Sequence, residues 1–214
     1  MISASVVIVL LLIFLCYTSS LAMSAKASVT LFHGDEKGVK KIAVIGGGNW
    51  GTTISRHLAR VSPQVPVHLY CRAESVPSRD NRELCAVVNE EHENCVYLPG
   101  VSLPSSVVAS DDLASVIRNA DIIFFVVPHQ FLRGTLQDIR ACASLNKDAV
   151  CVSLVKGLRI VNDAQDLNRS GITFRPELLS SLIREELQLV HPVAVMMGAN
   201  VARDISHDQV GIKK

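Results

Sequence analysis

Short apolar runs alternate with amphipathic stretches from residue 41 almost to the end of the chain. KIAVIG (41–46), VPVHLYC (65–71), VVAS (107–110), DIIFFVVP (121–128), AVCVSLV (149–155) and PVAVMMG (192–198) have strand length and read as six strands. The stretches between them carry helical spacing. NWGTTISRHLARV sets Ile54, Leu58 and Val61 on one face, and HQFLRGTLQDIRACASL does the same with Phe131, Leu132, Leu136 and Ile139. SRDNRELCAVVNEEHE (78–93) is polar and regular enough for a surface helix, and RPELLSSLIREELQ reads as helical. DDLASVIRNA is a helix that Ser110 or Asp111 can cap, and NVARDISHD opens a last one. NCVYLPGVSLP, broken by Pro99-Gly100 and Pro104, is loop, and RIVNDAQDLNRSG (159–171) is an inserted loop. Most strands are apolar on every residue rather than on alternate ones. That pattern predicts parallel strands covered by helices on both faces, joined by right-handed crossovers. The expected fold is α/β, a doubly wound, mostly parallel sheet of the Rossmann type.

The head of the chain does not belong to that pattern. Residues 1–22 are a hydrophobic head whose core, SVVIVLLLIFLCY (5–17), is uncharged. It is short for a membrane span, which needs about 20 apolar residues. Ser20-Leu21-Ala22 offers small residues of the kind a signal peptidase reads, yet no Lys or Arg precedes the apolar run. MSAKASVT, from Met23, is an ordinary start for a cytosolic protein. The expectation is therefore either a targeting segment leading to the secretory pathway or an organelle, or an upstream extension of a cytoplasmic protein that starts at Met23, with a permanent anchor ranked below both. Residues 23–40 read as a flexible lead-in, 41–208 as the folded unit and 209–214 as a truncated tail.

Composition narrows the classes. Among 214 residues the formal net charge is +1, so no global field favours nucleic acid or an anionic surface, and no nucleic-acid partner is expected. The six cysteines (16, 71, 85, 95, 142 and 151) form no CxxC pair and no zinc-spaced cluster, so no metal site is predicted. They read as small buried thiols.

Gly46-x-Gly48-x-x-Gly51 follows the first predicted strand and opens the first predicted helix. In that context the pattern points to a dinucleotide. Gly46 serves a tight turn, Gly48 lets a pyrophosphate approach the backbone, and Gly51 lets the helix pack against the strand. Helix-start amides then face the phosphates. The candidate contacts of the loop are Gly46, Gly47, Gly48, Asn49, Trp50 and Gly51. A carboxylate at the tip of the second strand usually accepts from the ribose hydroxyl in NAD sites. Here the tip reads Tyr70-Cys71-Arg72-Ala73-Glu74. Tyr70 is placed to pack on the adenine ring, Arg72 to stack on it or meet a 2′-phosphate, and Glu74 to serve a hydroxyl. NAD is the expected cofactor, with NADP not excluded by these residues.

Three further motifs fall at strand ends. VVPHQF (126–131) puts Phe131 near a nicotinamide, with His129 a helix-start residue. SLVKG (153–157) puts Lys156 where it can hold an anionic or hydroxyl-bearing substrate, and GAN (198–200) brings Asn200 to the same edge. With GGGNWGTT, ENCVYLPG, the LP at 103–104, ADIIFFVVPHQF, SLVKG and VMMGANVA in this order between about 41 and 205, the chain resembles the eukaryotic-type NAD-dependent glycerol-3-phosphate dehydrogenases. The resemblance implies reversible hydride transfer between NADH and dihydroxyacetone phosphate, giving sn-glycerol 3-phosphate, within glycerol and carbohydrate metabolism. It implies pyrophosphate contacts at Gly46 to Gly51, an aromatic cofactor contact at Tyr70, further cofactor contacts at Phe131, Lys156 and Ala202, and a substrate contact at Lys156 as well. It also implies a homodimer for full-length members. Members of that family continue into a helical C-terminal domain with the catalytic lysine and the phosphate-gripping groups, and this chain ends at GIKK before that domain. No catalytic residue is therefore expected within it. The expectation is the cofactor half of a dehydrogenase, the alternative a catalytically inactive short product that binds a dinucleotide or a partner.

Overall fold

The computed structural model describes residues 38–162 and 174–196 together with Ala202 and Ser206. Its centre is a six-stranded sheet of β1 (Ile42–Ile45), β2 (Val67–Tyr70), β5 (Val107–Ser110), β6 (Ile122–Phe125), β7 (Val150–Ser153) and β10 (Ala194–Val195), in the order β10-β7-β6-β1-β2-β5. Every pairing in it is parallel. The chain thus lays down two strands outward on one side of β1, returns, and lays three on the other. The strand order reverses between β1 and β6, which is the switch point where such sheets bind ligands.

The uniform apolarity of the strands follows from burial on two faces. On β1 and β6, Ala43, Ile45, Ile123 and Phe125 enter one core, and Ile42, Val44, Ile122 and Phe124 enter the other. Helices α1 (Asn49–Val61) and α2 (Leu84–Glu91) cover the second face through Ile54, Ala59, Leu84, Val87 and Val88. Helices α3 (Leu113–Ile117), α4 (His129–Ala141) and α5 (Leu179–Leu187) cover the first through Val116, Ile117, Leu132, Leu136, Ile139 and Ile183. One carboxylate fixes the entry into the sheet: Asp121 accepts from the backbone N–H groups of Lys40 and Lys41, tying the start of β1 to the start of β6. The Lys41 ammonium in turn donates to the Ser115 and Arg118 carbonyls at the end of α3, and burial holds its pKa below the usual lysine value, Arg118 adding to the shift.

Four elements differ from the sequence reading. The helix expected over 78–93 starts only at Leu84. Before it, β3 (Ser75–Val76) and β4 (Arg82–Glu83) form a small antiparallel hairpin whose turn places Asp80 and Asn81 at φ 55° and 56°. Asp and Asn tolerate that left-handed backbone, and a helix does not contain it. The stretch expected as an inserted loop begins with β8 (Leu158–Asn162), and the helix expected from Arg175 is preceded by β9 (Phe174–Leu178), its antiparallel partner. Asp112, rather than Ser110 or Asp111, caps α3, its Oδ1 accepting from Ala114 N–H at 3.0 Å. On the amphipathic helices, Phe131 and Val61 are exposed although the spacing sets them inward. The strand expected over 192–198 is ordered as β10 at Ala194–Val195. Residues 1–37, Gly198, Asn200 and most of the last expected helix lie outside the described residues. Among the described residues, no helix is long and apolar enough to cross a membrane.

Candidate functional site

Glycine geometry shapes the turn between β1 and α1. Gly46 sits at φ 121°, a backbone that side chains rarely adopt, and a Cβ there would stand 2.5 Å from the Val126 carbonyl oxygen. A Cβ on Gly51 would stand 1.7 Å from the Gly46 carbonyl oxygen, so the first turn of the helix rests directly on the end of the strand. Gly48 is different: nothing lies within 4 Å of the position its Cβ would take. It is the N-cap of α1, and no side chain caps the helix there. The helix-start N–H groups have no partner within the helix, so they and the positive end of its dipole face the space in front of Gly48.

That space is a cleft of about 1080 Å³ along the carboxyl ends of the strands. Of the loop residues named above, Gly46, Gly47, Gly48, Asn49 and Trp50 line it, as do Tyr70, Arg72, Phe131 and Lys156. Residues reach it from the tips of β1, β2, β6 and β7, with Met196 beyond β10. Gly51 lies behind the cleft, not on it, because its place is against the Gly46 carbonyl. Ala202 is also off the cleft wall: it is buried, and its carbonyl accepts from the Thr53 hydroxyl at 3.5 Å. His129 lines the cleft as the first residue of α4, in keeping with a helix-start role.

One end of the cleft carries aromatic and charged groups. The Arg72 guanidinium lies over the Phe131 ring, 5.1 Å from its centroid, and so bridges the tip of β2 to the start of α4. Phe131 is 46% exposed where the helical spacing would bury it. Glu74 accepts from the Tyr97 hydroxyl at 2.8 Å. That bond, with burial, raises the Tyr97 phenol above its usual pKa, so the phenol stays a donor. Burial and the Asp138 carboxylate likewise raise Tyr70. Beneath the loop, the Cys71 sulfur would meet a Gly47 Cβ at 2.3 Å. A hydrogen bond with Cys85 and burial hold the Cys71 thiol protonated, so it acts as packing rather than as a nucleophile. Among the described residues no His, Cys, Asp and Glu cluster has the makings of a metal site.

Two residues of the site escaped the sequence reading. Tyr97 belongs to YLPG, read only as loop, and its ordering of Glu74 is a contact across 23 residues of chain. Asn94 is fully buried behind the glycine loop and donates to the Gly47 carbonyl at 3.0 Å. Nothing in the sequence marks Asn94 as buried, and its partners Gly47 and Thr52 lie 47 and 42 residues back along the chain.

Residues 41–211 match the family model described as the N-terminus of NAD-dependent glycerol-3-phosphate dehydrogenase. The chain is 34% identical over 177 residues to the cytoplasmic glycerol-3-phosphate dehydrogenase [NAD(+)] of Bos taurus, covering 79% of this chain and 45% of that protein. It is 30% identical over 177 residues to a glycerol-3-phosphate dehydrogenase 1-like protein of Xenopus tropicalis, covering 80% of this chain and 45% of that one. Among solved structures, the glycerol-3-phosphate dehydrogenase of Saccharomyces cerevisiae superposes with a TM-score of 0.67 at 31% identity, over 80% of this chain and 45% of the other. The chain thus spans about half the length of the relatives it matches.

Proposed function

Because the chain belongs to the NAD-dependent glycerol-3-phosphate dehydrogenase family, we propose that it is the dinucleotide-holding unit of an enzyme that interconverts dihydroxyacetone phosphate and sn-glycerol 3-phosphate. The observation that supports this reading is the open position of Gly48. A Cβ there would project into the cleft in front of an uncapped helix start, the shape and polarity that a diphosphate needs. The residues present therefore fit NAD. The Gly46–Trp50 loop holds the diphosphate. Tyr70, Arg72 and Glu74 receive the adenosine end. Phe131 faces the dinucleotide from α4, and Lys156, exposed at the cleft wall after β7, holds the substrate by its charge. When bound, the nicotinamide supplies hydride at its C4. The chain's own contribution to that step is positional: it fixes one reactant on rigid strand tips and brings a cation to the other, which turns a bimolecular encounter into an oriented one. The full-length assembly is proposed to be a homodimer.

The test is a fluorescence titration of the chain with NADH and NADPH. Saturable NADH binding that Gly48→Ala abolishes supports the reading. Equal, non-saturating signals from the unmodified chain and the variant would reject it.

A further inference from the structure

We propose that Asn94 is a positioning residue for the dinucleotide diphosphate, acting through the Gly47–Gly48 peptide. This inference rests on the reading of the cleft as a dinucleotide site. The Asn94 side chain is fully buried and every polar atom on it is used. Its Oδ1 accepts from the Tyr97 backbone N–H at 3.0 Å, which fixes which end of the amide is which. Its Nδ2 donates to the Gly47 carbonyl at 3.0 Å and to the Thr52 hydroxyl at 2.8 Å. The Thr52 hydroxyl donates to the same Gly47 carbonyl at 3.3 Å. The Gly47 oxygen therefore accepts from two directions, both behind the loop, and neither Asn94 nor Thr52 lines the cleft.

A trans peptide is planar, with its C=O and N–H pointing opposite ways, and the described residues contain no cis peptide. Holding the Gly47 oxygen backward thus holds the Gly48 N–H forward, into the open space where the diphosphate would lie. A glycine-glycine peptide has little steric preference to keep that orientation unaided. The network supplies the preference. It also ties the loop to the Tyr97 backbone, whose side chain orders Glu74 at the adenosine end, so the same residue sets the separation of the two binding groups.

The experiment uses the full chain and three variants. Asn94→Asp keeps the size of the side chain and its bond to Tyr97 N–H, but turns a carboxylate oxygen toward the Gly47 carbonyl in place of a donor. Thr52→Val removes the second donor, and Thr52→Ser retains it. NADH affinity is read by fluorescence, and the Gly48 amide resonance by 1H–15N correlation without ligand. We expect Asn94→Asp to weaken NADH binding about tenfold or more, Thr52→Val about fivefold, and Thr52→Ser less than about twofold. The Gly48 resonance should move in the first two and stay in the third. A folded Asn94→Asp or Thr52→Val chain with unchanged affinity and an unmoved Gly48 resonance would overturn the proposal, as would lowered stability with NADH affinity intact. Absence of NADH binding by the unmodified chain would count against the dinucleotide reading itself, and the ligand-free resonance would still decide the role of Asn94.

Discussion

Two glycines of one short loop answer to different constraints, and alanine at each separates them. At Gly51 the added methyl would enter the Gly46 carbonyl, which is backbone and cannot yield without lifting α1 from β1. Gly51→Ala should cost stability at or above the upper end of the ~1–3 kcal/mol typical of overpacking, read as a lower urea midpoint. At Gly48, φ is −71°, an ordinary value for any residue, and the methyl meets nothing. Gly48→Ala should change stability by less than about 1 kcal/mol while abolishing NADH binding in the fluorescence titration. On the proposed reading, a charge contest at the other end of the cleft would set coenzyme preference. Arg72 would favour a 2′-phosphate, and Glu74, which accepts from the Tyr97 hydroxyl, would favour a free ribose hydroxyl. Arg72→Ala should raise the ratio of the NADPH Kd to the NADH Kd about tenfold, the worth of one charge-assisted hydrogen bond. Glu74→Gln should lower it. Paired titrations with the two coenzymes read both, and movement in the same direction would refute the assignment.

At the scale of elements, what was legible depended on how local its cause is. The central strands carry their burial in their own composition: four consecutive apolar residues such as IIFF have no polar face to turn to water. The glycine loop was legible for the same reason, because its turn, the close approach of Gly51 to Gly46 and the helix start all fall within six residues. The hairpin of β8 and β9 was not. Leu158 pairs with Leu178 and Asn162 with Phe174, so each strand's partner lies well along the chain, and Leu178, Leu179, Leu182 and Ile183 by themselves read as a helical face. Pro176 lacks a donor and is tolerated because a two-stranded ribbon has free edges on both sides. The first hairpin is not legible because Asp80 and Asn81 suit a polar helix surface as well as the left-handed backbone they adopt. Caps sit between these cases, since a cap is local but its exact residue depends on where the strand ends. β5 ends at Ser110, whose hydroxyl accepts from Asp112 N–H and so leaves Asp112 to cap α3. Asp112→Ala should cost about 1 kcal/mol, and Ser110→Ala less. Thermal denaturation of the pair would show the reverse order if Ser110 were the cap.

Across the whole molecule, the cleft draws its walls from both halves of the sheet. Trp50 and Tyr70 come from the β1–β2 side, and Phe131 and Lys156 come from the β6–β7 side. Among the described residues the two apolar cores lie on opposite faces of the sheet they share, with β1 and β6 in register from Ile42–Ile122 to Ile45–Phe125. A ligand that spans the cleft therefore binds the folded sheet and not a separable part of it, and its binding free energy adds to the stability of the whole. At free NADH of 100 times Kd that addition is about 2.7 kcal/mol. For a unit of this size it should raise the melting temperature by about 5–10 °C in a single transition. Gly48→Ala should melt near the unmodified chain without NADH and show no shift with it. Gly51→Ala should melt lower. The comparison decides between a site built on the sheet and one confined to the loop. If NADH stabilised only an early or late fraction of a two-step melt, the halves would unfold separately, and the strand tips of β6 and β7 would have no part in holding the dinucleotide.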